Sequence, residues 1–205
     1  MQALIDETVS PARLVWLAAA SERAAFADLL VEATAAHNED EEQSKDSYSW
    51  WRGSWDEVQA HRDGLNLNGV GLPPLVRTIG KLLPNPSREA SDITFLERTR
   101  LQADSAAAVG VIVVDDPYSL REQLAGGRLL QRLHLWAAAH DLGFQHMNQI
   151  TERIDRDLQL DRPSPFTEPL ERLVGDDPAL VAFRIGTPTV AALPSPRRQI
   201  SEVIA

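Results

Sequence analysis

The stretch Gly126–Arg156, GGRLLQRLHLWAAAHDLGFQHMNQITERIDR, decides how the rest of the chain is read. Leu129, Leu133 and Trp136 recur at helical spacing, and Leu130, Leu135, Ala138 and Leu142 fill the other sides of the same helix. A surface helix carries one apolar stripe, whereas one that is apolar nearly all round belongs in a core or at a subunit interface. Gly143 suits the left-handed residue that ends helices, so the helix is predicted to stop there. Gln145, His146, Asn148 and Gln149 then leave the end of a buried element, where polar groups need a partner. Backbone, water or a ligand can each fill that role.

Outward from this helix the chain alternates between strand and helix patterns. Ala106–Val114, AAAVGVIVV, is a short apolar run halted by Asp115-Asp116-Pro117, the pattern of a strand covered on both faces. Ser119 is predicted to cap the helix that follows. Pro163, Pro165 and Pro169 mark a loop, Leu170, Leu173 and Val174 a short amphipathic helix, and Ala179–Ile185 the last strand. Arg13–Ala19 reads either as a strand or as the start of a long helix from Pro11. The strand is favoured, with Ser21 capping a separate helix that carries Phe26, Leu29, Leu30 and Ala33 on one face. Ser91–Gln102 is also predicted helical. The fold class is α+β, a small mixed sheet around a buried central helix with covering helices, in a single domain over residues 1–205.

Two stretches stand outside this frame. Ser47–Leu65 holds Trp50, Trp51 and Trp55, and the last two, four apart, are expected to share a helix face as core or interface filler. Residues 66–86 are broken by Gly and Pro around a short helix at Leu75–Leu83, which reads as an excursion or lid. The acidic tract His37–Glu42 lacks the ligand spacing of a calcium loop and reads as a solvated helix end. Residues 194–205 carry prolines that forbid a helix nearby, so they are expected to run as an extended arm.

Composition narrows the function. The 205 residues include no cysteine, which removes a disulfide framework, a thiolate metal site and a cysteine nucleophile. A formal net charge of −10 argues against a sequence-independent grip on nucleic acid. No apolar run approaches a membrane span, and the N-terminal MQALIDETVSPAR has neither part of a secretory signal, so a cytoplasmic protein is expected.

Specific chemistry is mostly excluded as well. His134, His140 and His146 are six apart and do not share a helix face, so no metal site is expected. There is no nucleophile elbow, dinucleotide fingerprint or triphosphate loop. Arg197-Arg198 is the positive signal. Two guanidinium groups on an extended segment can grip a phosphate through bidentate, charge-assisted bonds, or can meet the protein's own carboxylates.

Taken together, three pieces resemble the nitroreductase superfamily of FMN-dependent oxidoreductases. They are Gly127–Gly143 for the central helix, Phe183-Arg-Ile-Gly-Thr-Pro188 for the last strand and turn, and Pro196–Ile204 for the C-terminal arm. Trp51–Leu65, with its Arg62-Asp-Gly-Leu, resembles the longer branch of that superfamily with two related halves, and the chain resembles its C-terminal part. The resemblance implies FMN at the interface of two nitroreductase-type units, Arg197 or Arg198 on its phosphate, and the segment around Asn148 and Gln149, with His146, along the isoalloxazine edge. It implies NAD(P)H as reductant, a nitroaromatic, quinone or similar small-molecule acceptor, a homodimer, and no catalytic acid or base from the protein. The family's N-terminal arginine and serine element has no counterpart before Arg13. A non-catalytic flavin-binding or flavin-sequestering protein, or a ligand-free half that associates with a partner, are the other implied readings.

Overall fold

Of the two readings open for Arg13–Ala19, the strand is the one adopted: β1 (Arg13–Leu17) pairs antiparallel with β2 (Ala108–Val113), Trp16 opposite Gly110. The computed structural model describes residues 10–69, 72–83, 85–190 and 193–204. Among them the helices are α1 (Ala20–Glu39), α2 (Glu41–Ser49), α3 (Trp55–His61), α4 (Pro74–Gly80), α5 (Arg88–Asp104), α6 (Leu120–Ala139), α7 (Gln149–Gln159) and α8 (Thr167–Val174). The remaining strands are β3 (Gly143–His146) and β4 (Ala179–Gly186), and the sheet order is β1-β2-β4-β3.

The α+β class is as expected, but every ladder is antiparallel where a mixed sheet is predicted. The connections explain this. One helix, α6, joins β2 to β3, and such a crossover returns the chain in the same direction. β2 and β3 are indeed parallel, both being antiparallel to β4, but β4 lies between them. β3 reaches β4 through two helices, α7 and α8, so the chain re-enters the sheet from the opposite end.

The chain divides into two compact units. The first comprises Met1–His37 and Phe95–Pro188, and contains the whole sheet. Alternation along β2 buries both of its faces. Val109, Val111 and Val113 point into a cluster with Phe26, Leu30, Ile150 and Leu170, while Ile112 points into another with Leu129, Leu133 and Phe183. The glutamates of two first helical turns tie strand ends to helix starts. Glu22 Oε2 accepts from the backbone N–H of Ala18 and Ala19, and Glu122 Oε2 from those of Asp115 and Asp116. Ser119 is the N-cap of α6, as expected, but makes no side-chain capping bond, and Ser21 lies inside α1. The carboxylates sit at the positive end of each helix and hold the backbone leading into it.

The central helix differs from expectation in two ways. It is buried along one stripe only, Ala125, Gly126, Leu129, Leu133 and Ala137. Leu120, Leu124 and Leu135 remain 70%, 61% and 61% exposed, because the sheet covers one side of a helix that is apolar on more than one. A Cβ at Gly126 would come within 2.2 Å of Leu180 Cδ2, so that side chain would have to shift, whereas Gly127 has open space around it. The helix also ends before Gly143. The Leu142 N–H bonds to the Ala137 carbonyl at 2.9 Å and that of Asp141 to Ala138 at 3.4 Å, with Asp141 in the left-handed region at φ 56°. This is the six-to-one and five-to-two pattern of a Schellman end with aspartate where glycine is usual. Gly143 instead opens β3, opposite Gly186. Asp141→Gly is therefore expected to raise stability by about 0.5–1 kcal/mol, read from urea unfolding, by removing the cost of a side chain at positive φ.

The second unit comprises Asn38–Thr94 and Thr189–Ala205. Its helices are short. Ser54 opens α3 through a capping box with Glu57, so Trp51 lies before the helix and does not share a face with Trp55. Trp51 instead forms an isolated parallel bridge with Leu65, and Trp55 is exposed beneath the Lys81 ammonium, 5.5 Å from its ring. Within the excursion α4 covers Pro74–Gly80, shorter than the predicted Leu75–Leu83. The side chains of Leu75, Val76, Ile79, Leu82 and Leu83 are exposed.

Candidate functional site

Each unit holds one part of the residue set singled out from sequence. In the first unit, β3 and the start of α7 carry Gln145, His146, Asn148 and Gln149. Two of these four find their partners within the protein. The Gln145 amide donates to Gln102 Oε1 at 2.9 Å and accepts from Arg184 Nε at 2.8 Å. Arg184 Nη1 donates in turn to the Gln102 carbonyl and to Ser105 Oγ, closing the end of α5, and burial lowers the pKa of this guanidinium. Asn148 Oδ1 accepts from the Ala182 N–H at 3.0 Å, extending the β3–β4 pairing by one side-chain bond.

His146 and Gln149 lie beside them. Gln149 is 9% exposed at the first position of α7. His146 meets the edge of Phe144 at 5.9 Å between ring centroids. Partial withdrawal from water, and then the nearby His134, hold its pKa below the ordinary histidine value. A neutral imidazole can accept a hydrogen bond through one nitrogen and donate through the other. An NMR titration is expected to give His146 a midpoint below 6.5, and His134→Ala is expected to move it part of the way back; a midpoint at or above 6.5 would contradict this environment.

In the second unit, Arg197 and Arg198 lie on the irregular segment before a short 3₁₀ turn at Ile200–Glu202. They line a cavity of about 340 Å³ together with Arg62, Asp63, Gly64 and Ser195. Arg197 Nη1 donates to Ser195 Oγ and to the Pro196 carbonyl. The cavity's one carboxylate is already engaged: Asp63 Oδ1 accepts from Arg52 Nε at 3.1 Å and Nη2 at 3.0 Å. Among the described residues no carboxylate pairs with Arg62, Arg197 or Arg198, although the chain carries 30 acidic residues against 20 Lys and Arg. From sequence, Arg62 enters only through the Arg62-Asp-Gly-Leu of the resemblance and not as a phosphate ligand, because its approach to residues 197 and 198 is tertiary.

No protein-family model matches the sequence, and no curated protein matches it at a significant level. Solved structures do match. The chain aligns over its full length with an FMN-bound nitroreductase from Desulfitobacterium hafniense DCB-2, at 11% identity, TM-score 0.56 and 84% coverage of that chain. It aligns with the FMN-dependent nitroreductase NfnB of Mycobacterium smegmatis in complex with NADPH, at 16% identity, TM-score 0.59 and 86% coverage. The FMN and NADPH-dependent nitroreductase NfnB of Sphigopyxis sp. strain HMH gives 17%, 0.53 and 89%. The fold is thus a nitroreductase-like α+β fold, as the helix, last strand and arm had suggested. No described helix is long and apolar enough to cross a membrane.

Proposed function

We propose that the protein is an FMN-dependent NAD(P)H oxidoreductase of the nitroreductase type, acting on nitroaromatic, quinone or similar electron-poor acceptors. The observation that carries this reading is the arginine-lined cavity of an acidic chain that has the nitroreductase fold. The residues present fit FMN. Arg197 and Arg198, which meet no carboxylate among the described residues, hold its phosphate through charge-assisted bonds. The side-chain amide of Gln149, a neutral His146 and the amide NH₂ of Asn148 are groups that suit the hydrogen-bonding edge of an isoalloxazine ring. Bound FMN would supply the hydride chemistry, while the chain supplies binding, orientation and exclusion of water.

A homodimer belongs to this reading. Leu120, Leu124, Gly127 and Leu135 fall on one solvent-facing side of α6. Glycine in a solvent-exposed helix costs roughly 1 kcal/mol relative to alanine, and nothing within the chain requires it at 127. A second copy packed on this stripe accounts for both features. The test of catalysis is NADPH oxidation by FMN-loaded protein with a nitroaromatic or quinone acceptor. Acceptor-dependent turnover supports the enzyme; bound flavin that NADPH does not reduce favours a sequestering protein instead.

A further inference from the structure

We propose that Arg62 is the third arm of a phosphate-monoester site, closing with Arg197 and Arg198 around the cavity of the second unit. The inference rests on the reading that Arg197 and Arg198 hold a phosphate, and adds a residue that no sequence motif assigns to it. Three observations carry it.

First, Arg62 is fixed in place by its turn. It ends α3 in the left-handed region at φ 52°, its N–H bonded to the Val58 carbonyl at 3.1 Å. Gly64 follows at φ 74°, where a Cβ would come within 2.3 Å of the Trp50 carbonyl. The Arg52 N–H bonds to the Leu65 carbonyl at 2.7 Å, and the Leu65 N–H to that of Trp50 at 2.8 Å. This helix end and the turn after it hold the Arg62 backbone at the edge of the cavity.

Second, the turn neutralises its own negative charge without using Arg62. Asp63 is bound by Arg52, both side chains being mostly buried, so the cavity wall presents guanidinium groups and no free carboxylate. Third, the chemistry matches one ligand class. Three planar forks around one cavity suit an anion with several acceptor oxygens and close to two negative charges, which is a phosphate monoester. A carboxylate would leave donors unmatched, and burying them unpaired is unfavourable.

The test uses the full-length protein and three probes: FMN, riboflavin and inorganic phosphate. Arg62→Ala is expected to weaken FMN binding roughly 10- to 100-fold by fluorescence quenching, the range one charged hydrogen-bonding group represents. Riboflavin binding is expected to be unchanged. The rise in thermal midpoint that phosphate produces over chloride at equal ionic strength is expected to be lost. Arg62→Gly removes the same side chain while relieving the positive φ, so agreement between the two variants excludes a folding defect as the cause. Variants with wild-type response to FMN and phosphate would overturn the role of Arg62. If Arg197→Ala still weakens FMN in that case, the flavin reading stands alone. A wild-type protein that responds to phosphate through Arg62 but not to FMN would retain this site and refute the flavin reading. A wild type that responds to neither refutes both.

Discussion

Asp157→Ala is expected to destabilise the protein by about 3–5 kcal/mol, the cost of breaking a buried ion pair by removing one partner. Asp157 and Arg153 lie one turn apart on α7, with side chains only 2% and 4% exposed. Asp157 Oδ1 accepts from Arg153 Nη2 at 2.8 Å and from Arg162 Nη2 at 2.7 Å. Removing the carboxylate takes this buried partner from the Arg153 guanidinium and from Arg162. The same helix carries Gln149 at its first position, so loosening it should also disturb the candidate site.

The pH dependence follows from the same contacts. Burial alone would raise the Asp157 pKa, but the bonds from Arg162 and Ser164 and the charges of Arg153 and Arg162 outweigh it and hold the carboxyl below its ordinary value. A carboxyl with a lowered folded-state pKa stabilises the fold above its unfolded value, about 3.9, and this contribution fades as pH falls through the folded value. Urea unfolding of wild type and Asp157→Asn should therefore differ fully at pH 7, and the gap should narrow below about pH 4. An equal gap at pH 7 and pH 3 would mean that the ion pairs are not what the helix depends on.

Replacing both Arg197 and Arg198 by alanine is expected to lower FMN affinity by roughly two to four decades, taking about 1.5–3 kcal/mol for bonds from each charged group. The two groups share one phosphate, so the double variant will not equal the sum of the single ones. Riboflavin, which lacks the phosphate, should bind both proteins alike, and rising salt should reduce the difference for FMN. Equilibrium dialysis with the two flavins reads this directly. Equal loss for FMN and riboflavin would assign the arm a structural part rather than phosphate binding.

Much of the scaffold can be read from the sequence because it is written in local pattern. The continuous apolar run at Ala108–Val113, the strand at Ala179–Gly186 and the short helix at Thr167–Val174 are bounded by Pro, Gly and Asp that leave few alternatives. The end of α6 was misplaced because Asp141 takes the left-handed position that Gly143 seemed to offer. Whether that helix is enclosed depends on which sides the sheet covers, and periodicity does not contain this. Trp51 and Trp55 were separated by the capping box at Ser54, a local signal that the tryptophan spacing masked.

The candidate site was legible only in part. Arg197 and Arg198 stand out in an acidic chain, but that they meet no carboxylate among the described residues is a tertiary fact, as is the presence of Arg62 in the same cavity. The partners of Gln145 and Asn148 lie on α5 and β4, at sequence separations that no spacing rule reaches. Only structure could show that Gln145 and Asn148, among the four polar residues after α6, bond to α5 and β4.

The most direct measurement is a titration of the purified protein with FMN, followed by absorption and flavin fluorescence. Saturable quenching with a shifted flavin band, approaching one FMN per chain, is the predicted result. Fluorescence and absorption that remain those of free flavin across the titration would contradict it.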